Sequence, residues 1–174
     1  MSELDEEWAQ VLAEAERRAR AAGRGDLVDY LALRASNDQA RQTGIEWLFA
    51  TFTALAARAN RAGAAIQAVK KDGHRFAFGS ATMVGTLWTL SLGVRQLMIE
   101  AGWPRAPGDG FIPGSGLAAA RIRHFGLKSA NEELLLVRSA AGIPQWLVLE
   151  QSGARAELTE ERAIRHLKRF VGTA

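Results

Sequence analysis

The chain has 174 residues, 48% of them hydrophobic and 24% charged, with a net charge of +3; this is length enough for one domain with a sizeable core, and an ordinary globular composition. It has no cysteine, which excludes disulfides, thiolate metal sites and cysteine nucleophiles and leads us to expect a reducing, cytoplasmic setting. No stretch reads as a membrane-spanning helix of about 20 apolar residues, and the acidic start "MSELDEEW" is unlike a signal peptide, so no membrane partner is expected.

Residues 3 to 22 read as an amphipathic helix, with Leu4, Trp8, Val11, Leu12 and Ala15 at three- and four-residue steps. Acids crowd its start and Arg17, Arg18 and Arg20 its end, as the helix dipole favours; Gly23 is a natural stop. A second short helix is expected from Asp26 to Arg34. A third opens at Asn37 or Asp38, both good N-caps, and carries the stripe Ile45, Leu48, Phe49, Phe52, Leu55, Ala56 and Ala59 to about Gly63. Residues 1–36 can stand as a helical arm packed on the rest of a single domain spanning 1–174.

The period then changes from helical to alternating. "IQAVKKDGHRFAF" holds Asp72-Gly73, a favoured hairpin dipeptide, between two short runs. "MVGTLWTLSL" and "VRQLMIEA" follow as strands rich in β-branched and aromatic residues, joined at Gly93. After a loop rich in Pro and Gly, a helix is expected from Ser115 to Phe125, stopped by Gly126. "ELLLVR" and "QWLVLE" flank "SAAGIP" as a hairpin, and Thr159 caps a last helix that Gly172 ends. The expected order is three helices, four strands, a helix, two strands and a helix. Segregated runs of this kind make an α+β fold with a mostly antiparallel sheet of about six strands.

The loop "EAGWPRAPGDGFIPGSGLAAARIRHFG" concentrates the candidate site. Glu100, Trp103, Arg105 and Asp109 gather where a strand ends on a Pro-stiffened segment, and such rims commonly carry function. Glu100 or Asp109 could bind a ligand with Arg105, or pair with it and pin the loop. Trp103 could stack a base or a sugar, or plug the core. Ser115 would sit at a helix N-terminus, which suits an anion, and His124 on the helix beyond it; these six residues form the expected ligand site. Gly114, Gly116 and Ala119 match a dinucleotide-binding pattern, but no strand feeds them, so that reading fails. His74, His124 and His166 lack metal-ligand spacing. No nucleophile elbow is present. We expect no catalytic residue, no metal and no cofactor.

Charge is unevenly spread. Residues 1–16 hold six acids and no base, whereas residues 47–128 hold ten Lys or Arg against three acids. A basic segment of this length suits nucleic acid, with Arg105, Arg121, Arg123 and Lys128 as the contacts, unless the acidic first helix folds back and neutralises it. The plan of N-terminal helices against a curved antiparallel sheet resembles the NTF2-like cone in architecture alone, which implies a fold able to grip a small ligand; the helix interrupting the strands departs from that order. The first expectation for function is a non-catalytic interaction module with a protein partner or as a homo-oligomer. The alternatives are a nucleic-acid binder using residues 47–128, and a small-molecule-binding protein or enzyme with a site at residues 100–126.

Overall fold

The computed structural model describes residues 3–173, and the side chain of Leu4, one member of the expected apolar stripe, lies outside the described residues. Helix α1 spans Glu3–Ala21 and helix α2 spans Gly25–Arg61. Seven strands follow: β1 Gln67–Phe78, β2 Ala81–Leu92, β3 Arg95–Trp103, β4 Ala118–His124, β5 Glu132–Arg138, β6 Pro144–Leu149 and β7 Arg155–Glu157. Helix α3, Glu160–Val171, closes the chain, capped by the Thr159 hydroxyl at the Arg162 N–H and stopped by Gly172 in the left-handed region. All seven strands form one antiparallel sheet in sequence order. The α+β class stands.

Three expectations need correction. There are two N-terminal helices, because nothing breaks the chain between Arg34 and Asp38. The side chains that would cap a new helix are engaged elsewhere. Asp38 accepts from Trp8 Nε1 at 3.1 Å and Arg41 Nη1 at 2.6 Å, while Asn37 Oδ1 and the Ser36 carbonyl accept from Arg138. Next, Asp72-Gly73 turns no hairpin. Gly73, at φ 67°, is the extra residue of a β-bulge between the pairs Asp72↔Thr86 and His74↔Gly85, so β1 runs on as one strand. Last, the expected helix from Ser115 to Phe125 is strand β4. Its alanines favour a helix in isolation, but the strand is inserted between β3 and β5, and Ala118, Ala119 and Ala120 are wholly buried on both faces. With β7, which is only three residues long, the sheet has seven strands where about six were expected.

One face of the sheet carries the main core. Leu97, Ile99, Ala120, Ile122, Leu134, Leu136, Trp146 and Val148 pack against Leu48, Phe52 and Leu55 of α2 and Ala163, Leu167 and Phe170 of α3. Trp146 Nε1 donates to the Gly44 carbonyl at 2.7 Å and anchors α2 on β6. The opposite face holds a second cluster of Phe76, Phe78, Met83, Ala119 and Leu135, with Ile112 of the loop against it. The sheet must curl to bring these together. The Arg121 guanidinium lies 5.9 Å from the Phe78 ring, yet β1 and β4 are three strands apart, roughly 14 Å in a flat sheet. Gly85 and Gly102 are cross-strand partners and allow the curl. A Cβ on Gly85 would lie 2.0 Å from the Ala101 carbonyl oxygen, and one on Gly102 would lie 2.6 Å from that of Val84.

Helix α2, at about 1.5 Å per residue, is roughly 55 Å long and overhangs the sheet. Its C-terminal half lies on the core. Its N-terminal half pairs instead with α1 through Leu12, Ala15, Ala19, Leu27, Val28 and Leu31, a satellite cluster of its own. Asp5 of α1 reaches Arg105 at 3.0 Å and ties this arm to the loop after β3.

Candidate functional site

Period 2 along β3 and β4 sends Glu100, Arg121 and Arg123 to the curled face, and Ile99, Ile122 and His124 to the helical face. The bulge in β1 aligns His74 with Gly85 on the curled face too. Glu100 is 1% exposed. Its Oε2 accepts from His74 Nε2 at 2.7 Å and lies 3.4 Å from Arg123 Nη2, while Arg121 Nη1 stands 4.0 Å from Oε1. Arg121 Nε also donates to Glu133 at 3.0 Å. Phe76 stacks on His74 with centroids 5.9 Å apart. A carboxyl group taken this far from water needs such partners. The network joins β1, β3, β4 and β5. Arg123 Nε is buried and has no hydrogen-bond partner. Beside it, where the β4–β5 ladder ends, an open cavity of about 250 Å³ lies between Arg121, Arg123, Asn131, Glu132 and Glu133.

A second polar network crosses the helical face. His124 Nε2 and His166 Nδ1 are 2.9 Å apart, His166 Nε2 donates to Glu132 at 2.9 Å, and Arg162 clasps Glu132 at 2.8–3.0 Å and Glu150 at 2.8 Å. Burial, helped by His166 and Arg169 nearby, pushes the His124 pKa down to about 4. Burial alone would raise Glu132, but hydrogen bonds from His166 and Arg162 outweigh it and hold the carboxyl at about 2. This chain of contacts ties α3 to the sheet.

The expected site residues are divided by the fold. Glu100 belongs to the curled face. His124 is buried on the opposite face, on a strand rather than a helix. Trp103 is half-buried against the main core and forms a wall of a groove of about 240 Å³ between α1 and α2, with Trp8, Leu12, Leu31 and Gln42 among its neighbours. Arg105 stacks on it, the guanidinium carbon 3.4 Å from the ring centroid. Asp109 accepts from the N–H groups of Arg105 and Ala106 at 3.1 and 3.0 Å and from Arg75 Nη2 at 2.6 Å; these bonds lower its pKa, the Arg105 N–H most. It therefore pins the loop, with Arg75 as its ion-pair partner rather than Arg105. Ser115 is exposed in a three-residue 3-10 turn that no α-helix follows, so the expected anion site at a helix N-terminus has no helix behind it.

The proposed nucleic-acid contacts also separate. Arg121 and Arg123 are neighbours on the curled face, Arg105 is held by Asp5, and Lys128 is exposed in the turn before β5. The residues that complete both networks, His74, Glu132, Arg162 and His166, were not among the expected site. His74 lies 26 positions from Glu100 and His166 lies 42 from His124, so spacing carried no sign of either pair. Among the described residues no group of three or more His, Cys, Asp or Glu side chains is placed to hold a metal ion. No helix among them is long and apolar enough to cross a membrane.

Comparison with protein families, with curated proteins and with solved structures returns no match.

Proposed function

We propose that this chain is a non-catalytic interaction module that docks through the α1–α2 arm. The observation that carries the reading is the α2 stripe that faces the sheet. It runs back from Leu48, Gly44 and Ala40 past the sheet's end to Leu33 and Tyr30, which are 61% and 56% exposed. Arg34 carries the patch across to α1: it hydrogen-bonds the Tyr30 hydroxyl and lies 4.7 Å from the centre of the Trp8 ring. Val11, one turn on from Trp8, is 57% exposed. Apolar residues gathered on a projecting arm are the mark of a contact surface.

Two further features support this reading over its alternatives. The basic segment meets much of its charge internally, through Arg75–Asp109, Arg105–Asp5, Arg121–Glu133 and Arg123–Glu100, which weakens the field that a phosphate backbone would meet. The two cavities described above, at about 240 and 250 Å³, fall below the range of roughly 300–1,000 Å³ of ordinary ligand pockets. The test is crosslinking of the chain in extract from its own cells, against a Tyr30→Glu/Leu33→Glu variant. A larger crosslinked species is expected for the wild type and not for the variant. Migration of both at 18.9 kDa would overturn the reading.

A further inference from the structure

We infer that the occupant of the arm is a second copy of this chain, bound about a two-fold axis with the two α1 helices antiparallel. This rests on the interaction reading above and names the partner. The observation is the charge order along α1. Glu3, Glu6 and Glu7 stand exposed at its start, and Arg17 and Arg18 at its end. Among the described residues Glu3, Glu6, Glu7 and Arg17 make no intramolecular ion pair; Arg18 pairs only with Glu14 on its own helix. The centres of the acidic and basic patches are about 18 Å apart along the axis, beyond the Debye length of roughly 8 Å at physiological salt. Neither patch neutralises the other within one molecule.

An axis near Leu12 solves this from outside. It sets Glu7 of each copy opposite Arg18 of the other, four and seven residues from Val11 and so on the same face of α1, while Glu6 and Arg17 point roughly 120–140° away from that face. Such a contact is self-complementary, as a closed two-fold dimer requires. Val11 then lies beside the axis, and Trp8, Tyr30 and Leu33 flank it as the apolar part of the interface. A parallel arrangement would place acid on acid and base on base. The arm offers a face about 28 Å long and roughly 20 Å wide, so the pair would bury on the order of 1,100 Å². That is the low end for a specific interface, and it makes the dimer reversible and sensitive to salt.

Sedimentation of the purified chain across a concentration series tests the pairing. Wild type should pass from 18.9 kDa to twice that mass, and added salt should push the transition to higher concentration. The Glu7→Lys variant should stay monomeric, as should Arg18→Glu, and an equimolar mixture of the two should recover the doubled mass. Both positions are exposed, so far-UV circular dichroism should match wild type in each. A wild type that stays monomeric overturns the inference, and so does a reversal variant that dimerises as wild type does. If the wild type is monomeric while the crosslinked species in extract still depends on Tyr30 and Leu33, the self-pairing is wrong and the interaction reading stands. If neither is seen, both fall.

Discussion

Acidification should destabilise this protein through His124. The unfolded chain binds a proton there with a pKa of 6.5, while the folded chain does so only near 4. Between those values the unfolded state holds more protons, so stability falls as pH falls. The contribution is complete above about pH 6.5 and is lost on the way to 4. His124 is 6% exposed, so solvent screens it little. The loss comes to about 2 kcal/mol at pH 5 and about 3 kcal/mol at pH 4. The groups around it are His166, Arg169 and Asn131, with Glu132 and Arg162 one step beyond. Glu132 adds a later loss of the same sign: its folded value near 2 is below the unfolded 4.5, so its contribution is kept above 4.5 and fades below. Urea midpoints by far-UV circular dichroism, taken in steps from pH 7.5 to 4, should fall most steeply below 6.5. His124→Gln keeps a donor for His166 Nδ1 but cannot titrate, so the wild-type advantage over it should shrink by about 3 kcal/mol across that window. Parallel curves for the two proteins would refute the reasoning.

Other perturbations probe the sheet and its anchors. Gly85→Ala sets a methyl carbon against the Ala101 carbonyl, where backbone cannot yield, and should cost about 3 kcal/mol or more in urea unfolding; a neutral result would remove the pinched crossing. Glu100→Ala leaves Arg123, Arg121 and His74 facing one another without their shared carboxyl and should cost roughly 3–5 kcal/mol, lowering the urea midpoint sharply. Trp146→Phe removes the donor to the Gly44 carbonyl and should cost about 1–3 kcal/mol in thermal or urea melts. Thr159→Ala should cost about 1 kcal/mol through the lost α3 cap, an effect visible as a small downward shift in the melting temperature.

The parts of the fold that were legible in sequence are those where local pattern and tertiary context agree. The amphipathic period of α1, the turns at Gly93 and at Ser139–Gly142, and the capped α3 all appear where the residues place them. The errors share one cause, a local signal overruled by contacts distant in sequence. Asn37 and Asp38 look like caps, but Arg138 and Trp8 engage them. "GLAAARIRH" has helical composition, yet Arg121 and Arg123 alternate with Ile122 and His124 at the strand period, and this weaker signal was the truer one. The strand period also splits the expected site: Glu100 faces the curled side, whereas Trp103 and His124 pack on the helical side. Only the closeness of Glu100 to Arg121 and Arg123 could have been found from sequence, by assigning β4 as a strand paired with β3.

Position 33 offers the most direct test of the arm as a contact surface. The chain has no cysteine, so Leu33→Cys introduces a single thiol at a position that is 61% exposed in the isolated fold. Ser129→Cys, on the exposed turn before β5, serves as the control. Each variant is treated with a thiol-reactive dye in extract from the native cells and again as dilute purified chain. The account predicts that the thiol of the Leu33→Cys variant reacts much more slowly in the extract than in the dilute sample, while that of the Ser129→Cys control reacts alike in both. Equal labelling of the Leu33→Cys variant in the two settings would mean that nothing covers the arm, and would contradict the central claim.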